Sequence, residues 1–324
     1  MKIAFVGKGG SGKSTLTSLF IRYIARCGKK EILAVDADIN MNLAGLLGVT
    51  VPEHALLSRP DVSGALRTHL KGDNRRIECA SKFLPTTPPG KGSNLIESAD
   101  DRALAPYVVS VSESPSIKLL TVGTYDREGI GQTCYHSHLF TVENLLSHTV
   151  TNKRFSVVCD MVAGTDAFAY SMHLQFDAIV LIAEPTPESV EVCRLYCDLS
   201  REAGIEDLVW LVGNKIEDGD DLHYIRQGVG REPLTFVRSM PSLKKARQRG
   251  NPVDDSLLEA SIADAMERIE LHASEPALTF ADRLRLLHRL HRKLNEKQWV
   301  KQAYGDVSDQ IDPDFFLLKE LVAV

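Results

Sequence analysis

The chain of 324 residues has no stretch approaching the roughly 18 consecutive apolar residues that a membrane-crossing helix requires. Its opening, MKIAFVGKGG, lacks the apolar core and small-residue cleavage site of a secretory leader and reads instead as a first strand. Six cysteines, at 27, 79, 134, 159, 193 and 197, are too sparse for a disulfide framework. Together these absences make a reduced, cytoplasmic setting the expectation. Positive charge is not in excess: 38 Lys and Arg stand against 43 Asp and Glu, a net of −5. No global basic field therefore argues for nucleic acid. No internal repeat is evident. What remains is an ordinary globular composition, 44% hydrophobic and 25% charged, long enough for one large α/β core with an appendage.

Apolar runs alternate with helical patterns. Ile3–Val6, Ile32–Val35, Ile117–Val122, Phe155–Cys159, Ala178–Ala183 and Leu208–Val212 read as buried strands. Ser14–Cys27, Thr141–His148 and Pro187–Ala203 read as helices, the last closed by Gly204. The alternation predicts a mostly parallel sheet with helices on both faces. Residues 51–116 stand apart as a polar region with a Pro- and Gly-marked loop at 85–92. After about residue 254 the strands stop. The expected division is a nucleotide-binding domain over 1–253 and a helical extension over 254–324. Within the extension, Phe280, Leu284, Leu287, Leu290 and Leu294 recur at helical spacing among Arg283, Arg285, Arg289, Arg292 and Lys293. This reads as a helix packed on the core with a solvated basic face. Contact of 280–301 with a membrane surface is the less favoured alternative.

The strand Ile3–Val6 runs into Gly7-Lys8-Gly9-Gly10-Ser11-Gly12-Lys13-Ser14-Thr15, a G-x-x-x-x-G-K-[ST] phosphate loop between a strand and a helix. Its glycines let successive N–H groups turn toward phosphate, and the helix start adds its positive dipole end. Lys13 is expected to reach the β- and γ-phosphates and the Ser14 hydroxyl to hold Mg²⁺. Gly7, Gly9 and Gly12 also spell G-x-G-x-x-G, with Asp36 at the end of the second strand. That dinucleotide reading leaves Lys13, Ser14 and Asp160 without a role.

Asp160 closes the strand Phe155–Cys159 and is expected on the Mg²⁺ side, with the Gly164 N–H near the γ-phosphate. Asp36-Ala-Asp38-Ile-Asn40-Met-Asn42-Leu43 follows the second strand. One of its acids could orient the attacking water, and capping of a following helix is the competing role.

These segments together resemble the MinD/ParA/nitrogenase-iron-protein class of P-loop ATPases, and within it the CooC type that matures carbon monoxide dehydrogenase. The resemblance spans roughly residues 1–250. It implies binding of ATP and ADP with Mg²⁺ and hydrolysis of ATP. It makes Lys8 a second lysine that acts across a homodimer, Asp38 the acid that positions water, Asp36 a Mg²⁺-side acid, Asn42 a first-switch asparagine and Asp160 the second-switch acid. Asn214, followed by Lys215, matches the asparagine that reads the adenine edge. Glu217 stands where a guanine reader carries Asp, so ATP is favoured over GTP.

The CooC branch carries C-x-C, where this chain has Cys134-Tyr-His136-Ser-His138. Cys134 and His136 from two chains could offer Zn²⁺ or Ni²⁺ a Cys₂His₂ set at a dimer interface. The departure from C-x-C weakens the metal-insertion expectation. An iron–sulfur cluster of the nitrogenase type is not expected, because residues 161–180 hold no second cysteine. Cys159, Cys193 and Cys197 read as core. Three roles stay open: a metalloenzyme-maturation ATPase with a client protein, a ParA/MinD-like positioning ATPase, and a slow regulatory protein docking a partner through 254–324.

Overall fold

The computed structural model describes residues 1–28, 30–124 and 135–315, with 135–137 as backbone. The strands are β1 (Lys2–Gly7), β2 (Glu31–Asp36), β3 (Val108–Glu113), β4 (Ser116–Thr121), β5 (Phe155–Asp160), β6 (Ala178–Ala183), β7 (Val209–Ile216) and β8 (Thr235–Arg238). They form one sheet in the order β3-β4-β2-β5-β1-β6-β7-β8. Only β3 runs antiparallel to its neighbour. The fold is therefore the expected mostly parallel sheet covered on both sides. Two strands were not read from sequence. β3 lies inside the stretch taken as a polar region, as does a helix over Pro60–Lys71. β8 is only four residues long.

Helices α1 (Lys13–Cys27), α2 (Asn42–Leu47), α3 (Pro60–Lys71), α4 (Tyr135–Ser147), α5 (Pro187–Glu202), α6 (Gly219–Val229), α7 (Pro241–Gln248), α8 (Ala260–Ser274), α9 (Phe280–Asn295) and α10 (Gln298–Tyr304) cover the sheet. Strand side chains alternate between two cores, as period two requires. Ala4, Val6, Leu33 and Val35 face α3, α4, α5, α6 and α9, while Ile3, Phe5, Ile32 and Ala34 face α1, α2, α7 and α8. Cys159, Cys193 and Cys197 are buried, so they do serve as small core hydrophobes.

The region after 254 is packed, not appended loosely. α8 gives Ile262, Ala265, Met266 and Ile269 to one core, and α9 gives Leu284 and Leu287 to the other. Arg283 of α9 pairs with Asp177 in a buried site, where Asp177 also accepts the backbone N–H of Lys2 at 2.6 Å. The apolar face of α9 is thus spent on the core, and Arg285, Arg289, Arg292 and Lys293 are exposed. No described helix is long and apolar enough to cross a membrane.

A buried acid ties α4 to the segment after β5. Ser171 Oγ lies 2.8 Å from Pro85 O and 3.0 Å from Glu143 Oε2. A hydroxyl has one proton and a carbonyl only accepts, so both contacts are satisfied when Glu143 is itself protonated and donates. Burial pushes the Glu143 pKa up to about 8 from an ordinary 4.5, against the opposing hydrogen bonds of Ser171 and Met172. The unfolded chain then loses this proton as pH rises through 4.5, and the fold keeps it until about 8. Stability from this group is full below 4.5 and drains away between those values. The loss is on the order of several kcal/mol at 1.36 kcal/mol per unit. Glu143→Gln should therefore be more stable than wild type at pH 9 and close to it at pH 5. Urea unfolding of both proteins at the two pH values checks this, and a pH-independent difference would contradict it.

Candidate functional site

The phosphate loop leaves β1 through a glycine that nothing else can replace. Gly7 has φ +149°, and a Cβ there would sit 2.6 Å from Ile182 O on β6. Gly10 and Gly12 also have positive φ, +87° and +95°. At Gly12 a Cβ would collide with Asn214 Nδ2 as well, so both backbone strain and space require glycine. α1 begins at Lys13 with no side-chain cap and no acid in its first turn. Its leading N–H groups and dipole are therefore open to an anion. Lys13 is buried, and its ammonium donates to Lys8 O at 3.4 Å. Burial draws its pKa below the usual lysine range, with Asp160 and Asp38 pulling it back up.

Two acids stand side by side on adjacent strands, because Asp36 of β2 and Asp160 of β5 are register partners. Both are fully buried. Burial raises Asp36 to about 8, helped by the neighbouring Asp160 charge and opposed by the N–H groups of Leu43 and Asp38. Asp36 Oδ2 accepts the Leu43 N–H at 2.9 Å and Oδ1 the Asp38 N–H at 3.3 Å. It thereby holds the start of α2, the capping role that competed with metal binding. Asp38 accepts from the backbone and side chain of Asn40 at 2.9 and 2.8 Å. Asn42 is exposed at the first position of α2.

Asp160 differs from both. Neither carboxylate oxygen accepts a hydrogen bond of good geometry, although no solvent reaches them. Burial raises its pKa to about 7, and the nearby Ser14 hydroxyl and Lys13 charge oppose the rise. A buried carboxylate whose few donors are poorly aligned is costly and calls for a cation. The residues thus fit Mg²⁺: the Ser14 hydroxyl lies within hydrogen-bonding reach of Asp160, and Asp36 is its register partner on β2. Mg²⁺ needs only one or two protein oxygens when nucleotide phosphates and water complete its shell. Among the described residues, no group of three or more His, Cys, Asp or Glu could hold a metal by itself. Cys134 and the His136 side chain lie outside the described residues.

Two expected nucleotide contacts are engaged within the chain. The Gly164 N–H, proposed for the γ-phosphate, donates to Gly7 O at 3.0 Å and ties the second switch to the phosphate loop. Asn214 Nδ2, proposed for adenine, donates to Ser11 O at 2.7 Å. Lys215, at a left-handed φ of 60°, donates to Gly10 O at 2.7 Å. Two successive residues of β7 thus strap two successive carbonyls of the loop. Glu184, just after β6, completes the strap: its Oε2 is 2.6 Å from Lys215 Nζ and its Oε1 3.9 Å from Lys8 Nζ. The sequence showed Glu184 within the segment Ala183-Glu184-Pro185-Thr186 that fits the resemblance, but assigned it no role of its own. Its one local sign is its place at the C-terminal end of a buried parallel strand, where such sheets build their sites.

Residues 3–301 match the CobQ/CobB/MinD/ParA nucleotide binding domain family. The carbon monoxide dehydrogenase accessory protein CooC of Rhodospirillum rubrum is 30% identical over 231 residues, covering 69% of this chain and 78% of that one. An ATP-binding protein of Methanocaldococcus jannaschii is 28% identical over 277 residues, covering 83% and 96%. Among solved structures, a ParA family ATPase from Chlorobium tepidum superposes with a TM-score of 0.57 at 17% identity, over 82% of this chain and 97% of that one. The Pyrococcus furiosus cell division ATPase MinD gives 0.54 at 19% identity, over 83% and 98%. The chain belongs to the CobQ/CobB/MinD/ParA family of P-loop nucleotide-binding ATPases.

Proposed function

We propose that this ATPase is a nucleotide-switched homodimer that serves the maturation of a metalloenzyme. The observation that carries the switch is the fully buried carboxylate of Asp160, short of well-formed hydrogen bonds, beside Lys13 and Ser14. In this reading the N–H groups of residues 9–15 and the Lys13 ammonium bind the phosphates. Ser14 and Asp160 hold Mg²⁺, which when bound supplies charge neutralisation at the phosphates. Asp38, braced by Asn40, orients the attacking water. Lys8 crosses to the partner's nucleotide and stabilises the charge that develops there. Asn42, Gly164, Asn214 and Lys215 contact nucleotide once the loop and switches rearrange around it.

The client role rests on the similarity to CooC, whose name makes it an accessory of carbon monoxide dehydrogenase. The exposed basic face of α9 offers the helical region from 254 to such a client. The test is sedimentation of the apo, ADP–Mg²⁺ and non-hydrolysable ATP–Mg²⁺ forms, with Zn²⁺ and Ni²⁺ measured on the same samples. Dimerisation is expected only with the ATP analogue. Transition metal at about one per two chains, lost in Cys134→Ser, would extend the reading to cargo held by four ligands. A monomer in all three nucleotide states would overturn it.

A further inference from the structure

Glu184 is where the site keeps its two outer lysines, and the geometry makes it more than a brace. Its backbone is held in place. Its N–H donates to Ser189 Oγ at 3.0 Å, Pro185 and Pro187 flank the corner, and Thr186 caps α5 by accepting the Ser189 N–H. The glutamate is largely buried, with a side chain 11% exposed, whereas Lys8 and Lys215 are 34% and 48% exposed. The acid is therefore the sheltered partner and Lys8 the loosely held one.

The two lysines hold it unequally. Lys215 sits 2.6 Å from Glu184 Oε2 and has a second acceptor in Gly10 O at 2.7 Å. Lys8 has Glu184 Oε1 at 3.9 Å, and its own carbonyl is used by Lys13. One carboxylate shared by two cations leaves Lys8 attracted but not bound. If Lys8 departs, Lys215 still neutralises Glu184, so departure strands no buried charge. Stranding a buried charge is the usual large cost of breaking such a contact.

We propose that Glu184 is a positioning residue for Lys8: it docks that ammonium at the mouth of its own phosphate loop in the single protomer and, because Lys215 shares it, releases the ammonium easily to a partner protomer. The inference rests on the proposed action of Lys8 across a dimer. It assigns opposite consequences to two changes that break the same ion pair. Glu184→Gln removes the attraction for Lys8 while its amide oxygen still accepts from Lys215. Lys215→Met removes the competitor and leaves both Glu184 oxygens to Lys8.

The experiment measures the dimer dissociation constant with a non-hydrolysable ATP analogue and Mg²⁺, and steady-state turnover, for wild type and both near-isosteric variants. Glu184→Gln should tighten the dimer and raise turnover by about threefold to tenfold, and Lys215→Met should weaken both by a similar factor. Nucleotide affinity of the single protomer is the second readout, taken at protein concentrations below dimerisation and repeated with Lys8→Ala added. A role confined to strapping the loop would shift that affinity in one direction for both variants, with or without Lys8. Dimer effects of the same sign would likewise overturn the proposal while leaving the trans action of Lys8 intact. Wild-type turnover in Lys8→Ala alone would instead overturn the trans reading and this one with it.

Discussion

Lys8→Ala should lower ATP turnover by roughly a thousandfold or more, the scale on which a cation supplied to the transferring phosphoryl group acts. Nucleotide affinity of the single protomer should change by less than about threefold, because the interaction lost is made only in the transition state. The structure supports that separation. In the proposed mechanism phosphate binding belongs to Lys13 and to the glycine-shaped backbone, and the Lys8 carbonyl that Lys13 contacts survives the substitution. The Lys8 ammonium itself faces Glu184. Turnover and nucleotide titration of the purified variant, at a concentration that saturates dimerisation, check the split. An unchanged rate would refute the cross-dimer role, and a parallel loss of affinity would place Lys8 among the ground-state phosphate ligands.

Asp160→Asn is expected to separate activity from stability with opposite signs. Turnover should fall by about a hundredfold to a thousandfold, as for loss of one fixed electrostatic partner of the reacting group. The fold should nonetheless be at least as stable as wild type without nucleotide. A fully buried carboxylate, raised to about 7 chiefly by desolvation and short of well-formed hydrogen bonds, is replaced by a neutral amide of the same shape. The Asp36 carboxyl gains too, since the Asp160 charge is the second cause of its raised pKa. Thermal melts with and without ATP–Mg²⁺ distinguish the terms: the variant should melt no lower when empty and gain less from the ligand. A variant that melts several degrees lower when empty would mean that Asp160 is a structural acid.

What the sequence made legible was local. Gly7 to Thr15 announces itself because glycine, lysine and serine must follow one another to build a cradle, and Asp160 is visible as an acid ending an apolar strand. Lys8 depended on resemblance, since nothing in its neighbourhood distinguishes it from a solvated lysine. The contacts of Glu184 and the loop-strapping use of Asn214 and Lys215 were not legible. Asn214 meets Ser11 across 203 residues of chain and Lys215 meets Gly10 across 205. No period or spacing encodes such contacts. The strand Val108–Glu113 was missed because its valines alternate with serines inside a stretch read as polar, the pattern of an edge strand with a wet face. Glu143 carries no sign at all: on an amphipathic helix a glutamate is ordinarily a solvated one.

The strand order has a consequence for how the molecule comes into being. β1 is the first strand of the chain, yet both its neighbours in the sheet, β5 and β6, begin only at residues 155 and 178. As the polypeptide leaves the ribosome, the chain from β1 through β6 must emerge before the phosphate loop has walls on both sides. Until then β1 has two open edges, and Gly7 turns beside an Ile182 that has not yet been made. Such non-local closure is slow and leaves apolar strands exposed while it waits. The nascent chain therefore acquires its nucleotide pocket late, and a chaperone that shields β1 and β2 would act in that interval.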